Sequence, residues 1–129
     1  MSENYAALIE KAKAVRENAY APYSNYRVGA AILARDGSIY TGVNVENAAD
    51  PAGICAERAA LSAAVADGQR KFLAIAVYGG DGVTPCGVCR QMLAEFGDMW
   101  VICASDAAPP VSTTLSRLLP SAFGKNHVK

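Results

Sequence analysis

Hydrophobic and polar positions alternate along this chain with two different periods, and the changes of period mark its elements. Over residues 2–19, Tyr5, Leu8, Ile9, Ala12, Val15 and Ala19 recur every three or four positions with Lys and Glu between them, the spacing of one apolar helix face. Ala21-Pro22-Tyr23-Ser24 closes that helix, because proline has no amide hydrogen to give to a helix interior. Two β-compatible runs follow, YRVGAAILA (26–34) and SIYTGVNV (38–45), on either side of Arg35-Asp36-Gly37. Asp-Gly readily adopts the left-handed backbone of a tight turn, so these runs are expected to pair as an antiparallel hairpin.

In the second half the pattern becomes blocks. CAERAALSAAVAD (55–67) is Ala-rich with good helix propensity, and Gly68 stands where a left-handed C-terminal cap belongs. So many alanines indicate a helix pressed close to a sheet. FLAIAVYG (72–79) is a continuous apolar run of strand length, CGVCRQMLAEF (86–96) reads as a helix, and MWVICAS (99–105) as another strand. Strand, helix, strand implies a parallel, right-handed crossover. Pro109-Pro110 then breaks the chain before the short segment TLSRLLP and the tail SAFGKNHVK. There is no internal repeat, low-complexity tract or linker, and the fold class is α/β with a mixed sheet.

Composition bounds what such a domain binds. At 129 residues and 52% hydrophobic, the chain is long enough for one compact domain with a real core, spanning 1–129, and short for two. Twelve basic side chains balance twelve acidic ones with no Lys/Arg block, so the attraction that drives binding to a nucleic-acid polymer is missing. MSENYAALIEKAK carries charges throughout, and no run approaches the roughly 18 apolar residues of a membrane span, so a cytoplasmic protein with no membrane partner is expected. In that setting Cys55, Cys86, Cys89 and Cys103 point to metal binding or catalysis rather than to a disulfide framework.

PCGVCR (85–90) holds two of these thiols three positions apart, which fits a redox couple, half of a closed structural zinc site, or part of a catalytic metal centre. Cys55 opens the second predicted helix, and Cys86 and Cys89 fall in the first turn of the third. Helix N-termini favour thiolate over thiol, and thiolate is the form that binds zinc. If the two helix starts converge, three ligands leave a tetrahedral zinc one open position. Glu57 would then sit beside that position, able to move protons for a water whose pKa zinc lowers to roughly 7. A closed site needs a fourth ligand, but Cys103 lies in an apolar strand and His127 in a polar tail. Residues 72–105 alone fit a thioredoxin-like couple, for which Glu57 has no use.

CAER (55–58) followed by PCGVCRQ (85–91) resembles the zinc-dependent cytidine deaminases, whose signature is His/Cys-x-Glu and then Pro-Cys-x-x-Cys. APYSNYRVGAA (21–31), the Asp-Gly hairpin, GVNVENAA (42–49) and LLPSAF (118–123) are similar to the small, homotetrameric, all-cysteine branch of that family. The resemblance implies a five-stranded mixed sheet with helices on both faces, a three-layer α/β/α arrangement. It implies one Zn2+ per chain on Cys55, Cys86 and Cys89, with Glu57 as proton shuttle. The reaction implied is attack by zinc-activated hydroxide on the amine-bearing carbon of a free cytosine nucleoside, cytidine or 2'-deoxycytidine, releasing ammonia and the uridine product. Asn44 and Glu46 would bind the ribose, Tyr26 and Ala56 would line the base pocket, and Phe123 would stack on the base from a neighbouring subunit. Arg58 would offset the surplus negative charge of three thiolates on a divalent ion.

Two positions depart from the family pattern: Ala59 replaces a common threonine, and Asp50 stands where a tyrosine is usual at the sugar end of the site. Asp50 points to an altered preference, toward base-modified or positively charged nucleosides such as blasticidin S. The reading from another class is a zinc-binding or CxxC redox module without deaminase activity.

Overall fold

A computed structural model of the chain describes residues 5–82 and 84–128. Helix α1 (Tyr5–Val15) buries Tyr5, Leu8 and Ala12, and runs into a 3-10 turn at Arg16–Asn18. It stops sooner than its apolar pattern does. Ala19 is already extended (φ −60°, ψ 143°), because Tyr20 is drawn into a bridge with Val45. The start of the expected helix, residues 2–4, lies outside the described residues.

The hairpin forms as its turn chemistry requires. Strands β1 (Gly29–Ala34) and β2 (Ile39–Val43) pair antiparallel, and Gly37 takes φ 95°, a backbone state that costs glycine nothing. Strand β3 (Phe72–Tyr78) pairs antiparallel with β1 and parallel with β4 (Trp100–Ala104). Helices α2 (Ala56–Ala66) and α3 (Gly87–Ala94) are the expected second and third helices, α3 being the crossover between β3 and β4. A fifth strand, β5 (Val111–Thr114), pairs antiparallel with β4 and completes the order β2-β1-β3-β4-β5. A four-residue helix α4 (Leu115–Leu118) follows it.

The strands' two-residue period sorts side chains to two cores. Ala30, Ile32, Ile75, Val77, Val101 and Cys103 face α2 and α3, meeting Ala56, Ala60, Leu61 and Leu93. Ala31, Ala74, Ala76 and Ile102 face the other way, under Tyr5, Leu8 and Ala12 of α1. The sheet therefore has helices on both faces, as expected. Two glycines set how closely they approach: a Cβ at Gly29 would lie 2.1 Å from the Ala12 carbonyl oxygen, and one at Gly42 would lie 2.3 Å from the Ala60 nitrogen. The alanines of α2 are thus explained, since only small side chains let its backbone rest on β2. This contact fixes where α2 begins, and with it Cys55. Among the described residues, no helix is long and apolar enough to cross a membrane.

Candidate metal centre and substrate cavity

Cys55 occupies the N-cap of α2 and Cys86 the N-cap of α3, and neither side chain caps its own helix. Their sulfurs turn toward each other instead, 3.8 Å apart, while the Cys89 sulfur lies 3.5 Å from that of Cys86. All three lie within 4.8 Å of one another, the one group of metal-ligating side chains this close among the described residues. Zn–S bonds of about 2.3 Å at tetrahedral angles put sulfurs about 3.8 Å apart; two of the three pairs stand close to that spacing and the third lies within 4.8 Å, so the donor set suits zinc.

The protons of the triad are unequally held. Hydrogen bonding from the Cys89 thiol, helped by Arg58 and Cys86 against the cost of burial, brings Cys55 down to about 5. Cys89, fully buried, is pushed up, chiefly because it donates to Cys55. The Arg58 guanidinium reaches the Cys55 sulfur at 3.8 Å and is held more firmly protonated by that contact. Its Nε is buried without a partner among the described residues. Negative charge on sulfur is therefore already accommodated by a cation from the same helix turn.

Glu57, in the first turn of α2, is 5% exposed and the one charged residue among the fully buried positions described. Burial raises its pKa, its own backbone N–H pulls it back, and the neighbouring Cys55 charge pushes it up again. Such a carboxyl is a better proton carrier near neutrality than an exposed one.

A cavity of about 640 Å³ opens over this corner. Of the residues singled out from the sequence, it takes in Tyr26, Asn44, Glu46, Asp50, the run Cys55 to Arg58, and Cys86. Cys89 sits behind the wall as the buried member of the triad. Phe123 does not line the cavity; it is 60% exposed and stacks on His127 at 5.4 Å.

The arrangement of three convergent thiols beside a buried acid is matched by the sequence as a whole. The family model described as "Cytidine and deoxycytidylate deaminase zinc-binding region" matches residues 2–105. The chain belongs to this deaminase family. It is 50% identical over 122 residues to the cytidine deaminase of Sporosarcina psychrophila, covering 92% of this chain and 90% of that protein. Over 120 residues it is 45% identical to the cytidine deaminase of Halalkalibacterium halodurans, covering 90% and 91%. The solved structure of cytidine deaminase from Burkholderia pseudomallei superposes with a TM-score of 0.88 at 46% identity, over 95% of this chain and 100% of that one.

In this deaminase-family chain, the cavity wall depends on contacts no spacing reveals. Asn44 is bound to backbone on both sides, Oδ1 accepting from Val28 N at 2.9 Å and Nδ2 donating to Tyr26 O at 2.8 Å. Glu46 holds the 23–24 turn: Oε1 accepts from the Tyr23 and Ser24 amides at 2.9 and 3.2 Å, and Oε2 from the Ser24 hydroxyl. These bonds keep its pKa below the usual carboxylate range, the Ser24 hydroxyl contributing most. Arg90, the last residue of PCGVCR, donates from Nε to Pro85 O at 2.7 Å, from Nη1 to Leu118 O at 2.8 Å and from Nη2 to Thr84 Oγ1 at 3.1 Å. It clamps the Cys86 turn to the C-terminal end of α4. An arginine five residues after the proline was the available signal, but nothing in sequence names its acceptors.

Proposed function

We propose that this chain, working as one domain, hydrolytically deaminates a free cytosine nucleoside, cytidine or 2'-deoxycytidine, to the uridine product and ammonia. The observation that carries this reading is Glu57 buried in the wall of a cavity that Cys55 and Cys86 also line, with the Cys89 sulfur close behind them. Cys55, Cys86 and Cys89 would hold one Zn2+ per chain. When bound, zinc supplies a water acidified to roughly neutral pKa.

The chain's own residues do the rest. Glu57 takes the proton of the attacking water and passes it to the ring nitrogen, and the ring carbon bearing the amine becomes tetrahedral. Glu57 then takes the remaining proton from the hydroxyl now on that carbon and hands it to the amine, which leaves as ammonia while the carbon–oxygen double bond of the uridine product forms. The raised pKa of Glu57 suits both halves, since the same carboxyl must accept and then donate. Asn44 and Glu46 receive the ribose hydroxyls with what their loop contacts leave over: Asn44 Nδ2 has a second hydrogen, and Glu46 has unused lone pairs. Tyr26 and Ala56 form the base wall. A homotetramer would bring Phe123 of a neighbouring chain onto the base, a role supported by its exposure and by the Gln91 side chain that anchors its carbonyl at 2.8 Å. The cavity's size and the chain's neutral formal charge suit a small metabolite of the cytoplasm rather than a nucleic-acid strand.

Arg58 neutralises thiolate charge that would otherwise weaken the metal's pull on its water. Arg58→Ala is expected to lower kcat about 10- to 100-fold with zinc content unchanged, measured by metal analysis beside steady-state kinetics. An unaltered kcat in the zinc-replete variant overturns the role.

Asp50 places a carboxylate in the cavity wall with no side-chain partner among the described residues, on a 3-10 turn that Pro51 stiffens. Among its described lining residues, the cavity offers a substrate anion no cation other than Arg58, which is committed to sulfur. A positive group on the nucleoside is therefore favoured at the sugar end. Asp50→Asn should reduce the kcat/KM of blasticidin S relative to cytidine about fivefold, the effect of one partly screened charge pair. An unchanged ratio removes the argument.

The test of the whole reading is an ammonia-release screen over cytidine, deoxycytidine, base-modified cytidines, adenosine and blasticidin S. Release from cytosine nucleosides supports it. Silence on every cytosine compound, with a redox-active Cys86–Cys89 pair, would favour the thiol-exchange module.

A further inference from the structure

The cavity wall contains a contact that neither the thiol triad nor the proton shuttle uses. The Tyr26 hydroxyl donates to Asp81 Oδ1 at 2.5 Å, joining positions 55 residues apart in sequence. On its own side Tyr26 is firmly placed. Its amide donates to Ser24 Oγ at 3.0 Å, its carbonyl accepts from Asn44 Nδ2, and Ser24 in turn is held by Glu46. A polar chain thus runs from the end of β2 through residues 24 and 26 to Asp81.

The other side is built differently. After β3 the chain runs Gly79-Gly80-Asp81-Gly82, three glycines in four residues, with Gly82 at φ 79°. Two backbone bonds support this stretch, Gly79 N to Ala104 O at 3.1 Å and Gly82 N to Gly79 O at 3.3 Å. Asp81 carries the only side chain in it beyond hydrogen. Gly80 lies under the Tyr26 ring, where an added Cβ would stand 4.0 Å from Cε1. Further along, Thr84 and Cys86 reach the cavity, and Arg90 pins that far end. Between the end of β3 and the Arg90 clamp, the glycine-rich stretch has one side-chain fastening described, and it comes from Tyr26.

We propose that Tyr26 and Asp81 form a clasp that positions residues 79–82, just after β3, beside the cavity wall, making Tyr26 a positioning residue as well as a wall. Phenylalanine would supply the wall; the hydroxyl adds a fastening to Asp81, which lies outside the cavity lining. Burial, then the bond to Asp81, raises the Tyr26 pKa to about 12, so the donor stays protonated wherever the protein is handled. The acceptor is charged, and a hydrogen bond to a charged group shifts a local opening equilibrium by about 10- to 100-fold. This inference rests on the cavity reading above but not on the reaction assigned to it.

The test is hydrogen–deuterium exchange on the full chain, comparing wild type with Tyr26→Phe, Asp81→Ala, Asp81→Asn and the double variant Tyr26→Phe/Asp81→Ala. The amides of Gly79 and Gly82, which have backbone acceptors, should exchange about 10-fold faster or more in Tyr26→Phe and Asp81→Ala. The double variant should exchange no faster than either, because one contact cannot be lost twice. Asp81→Asn, which keeps an acceptor without the charge, should fall between, and amides of β1 to β4 should not change. In zinc-loaded protein the same variants should lose metal to a chelator faster, in the same order. Unchanged exchange in Tyr26→Phe, or additive effects in the double variant, overturns the clasp. Exchange reads the clasp whether or not any cytosine compound is turned over, so failure of the deaminase reading is separately visible.

Discussion

Glu57→Gln is expected to reduce turnover of cytidine about 10²- to 10⁴-fold while the protein still binds one zinc per chain. The substitution keeps shape and hydrogen-bonding reach but removes the group that accepts and returns a proton. Glu57 lies in the cavity wall and not among the three convergent sulfurs, so metal retention should survive. Its burial also means that wild-type Glu57 is paid for in folding: a carboxyl whose pKa is raised opposes folding once it ionises, most at pH above its folded value. Glu57→Gln should therefore be no less stable than wild type at pH 8, and its midpoint of thermal unfolding should be equal or higher. Loss of activity together with loss of zinc or of stability would contradict the assignment of a proton-moving role.

The second large effect concerns the triad. Cys55→Ala, Cys86→Ala and Cys89→Ala should each abolish stoichiometric zinc binding and reduce turnover at least as far as Glu57→Gln does. Two thiolates make a poor zinc site, and without the metal the attacking water keeps a pKa near its ordinary value of about 15.7. Cys103→Ala is the internal comparison. Cys103 is buried in the apolar core, and burial pushes its thiol up, away from the thiolate a metal needs. Its loss should cost about 1 kcal/mol of stability through a small void and leave zinc and turnover intact. Metal analysis of the four variants with parallel kinetics checks this; equal loss from Cys103→Ala would mean the ligand set has been misassigned.

Much of this architecture is legible in the sequence. The hairpin was legible because Asp36-Gly37 carries its geometry locally, and α2 because alanine propensity and a following glycine agree. Convergence of the thiols was legible because Cys55 and Cys86 each open a helix after an extended stretch. What escaped the pattern depended on distant partners. Strand β5 is four residues, Val-Ser-Thr-Thr, directly after two prolines, too short for a two-residue period to register. Helix α1 ends early because Tyr20 pairs with Val45, a contact local sequence does not contain. Glu46 holds the turn that bears Ser24, Arg90 clamps the Cys86 turn to α4, and Tyr26 meets Asp81. Each is a side chain whose type was visible and whose partner was set by the fold.

The measurement that bears most directly on the central claim is turnover of cytidine by the zinc-loaded protein in ¹⁸O-enriched water, with the product read by mass spectrometry. Hydrolytic deamination at this site predicts uridine carrying one ¹⁸O, one ammonia per uridine, and no such product from Glu57→Gln on the same timescale. Unlabelled uridine, or no uridine from a protein that holds its zinc, would contradict it.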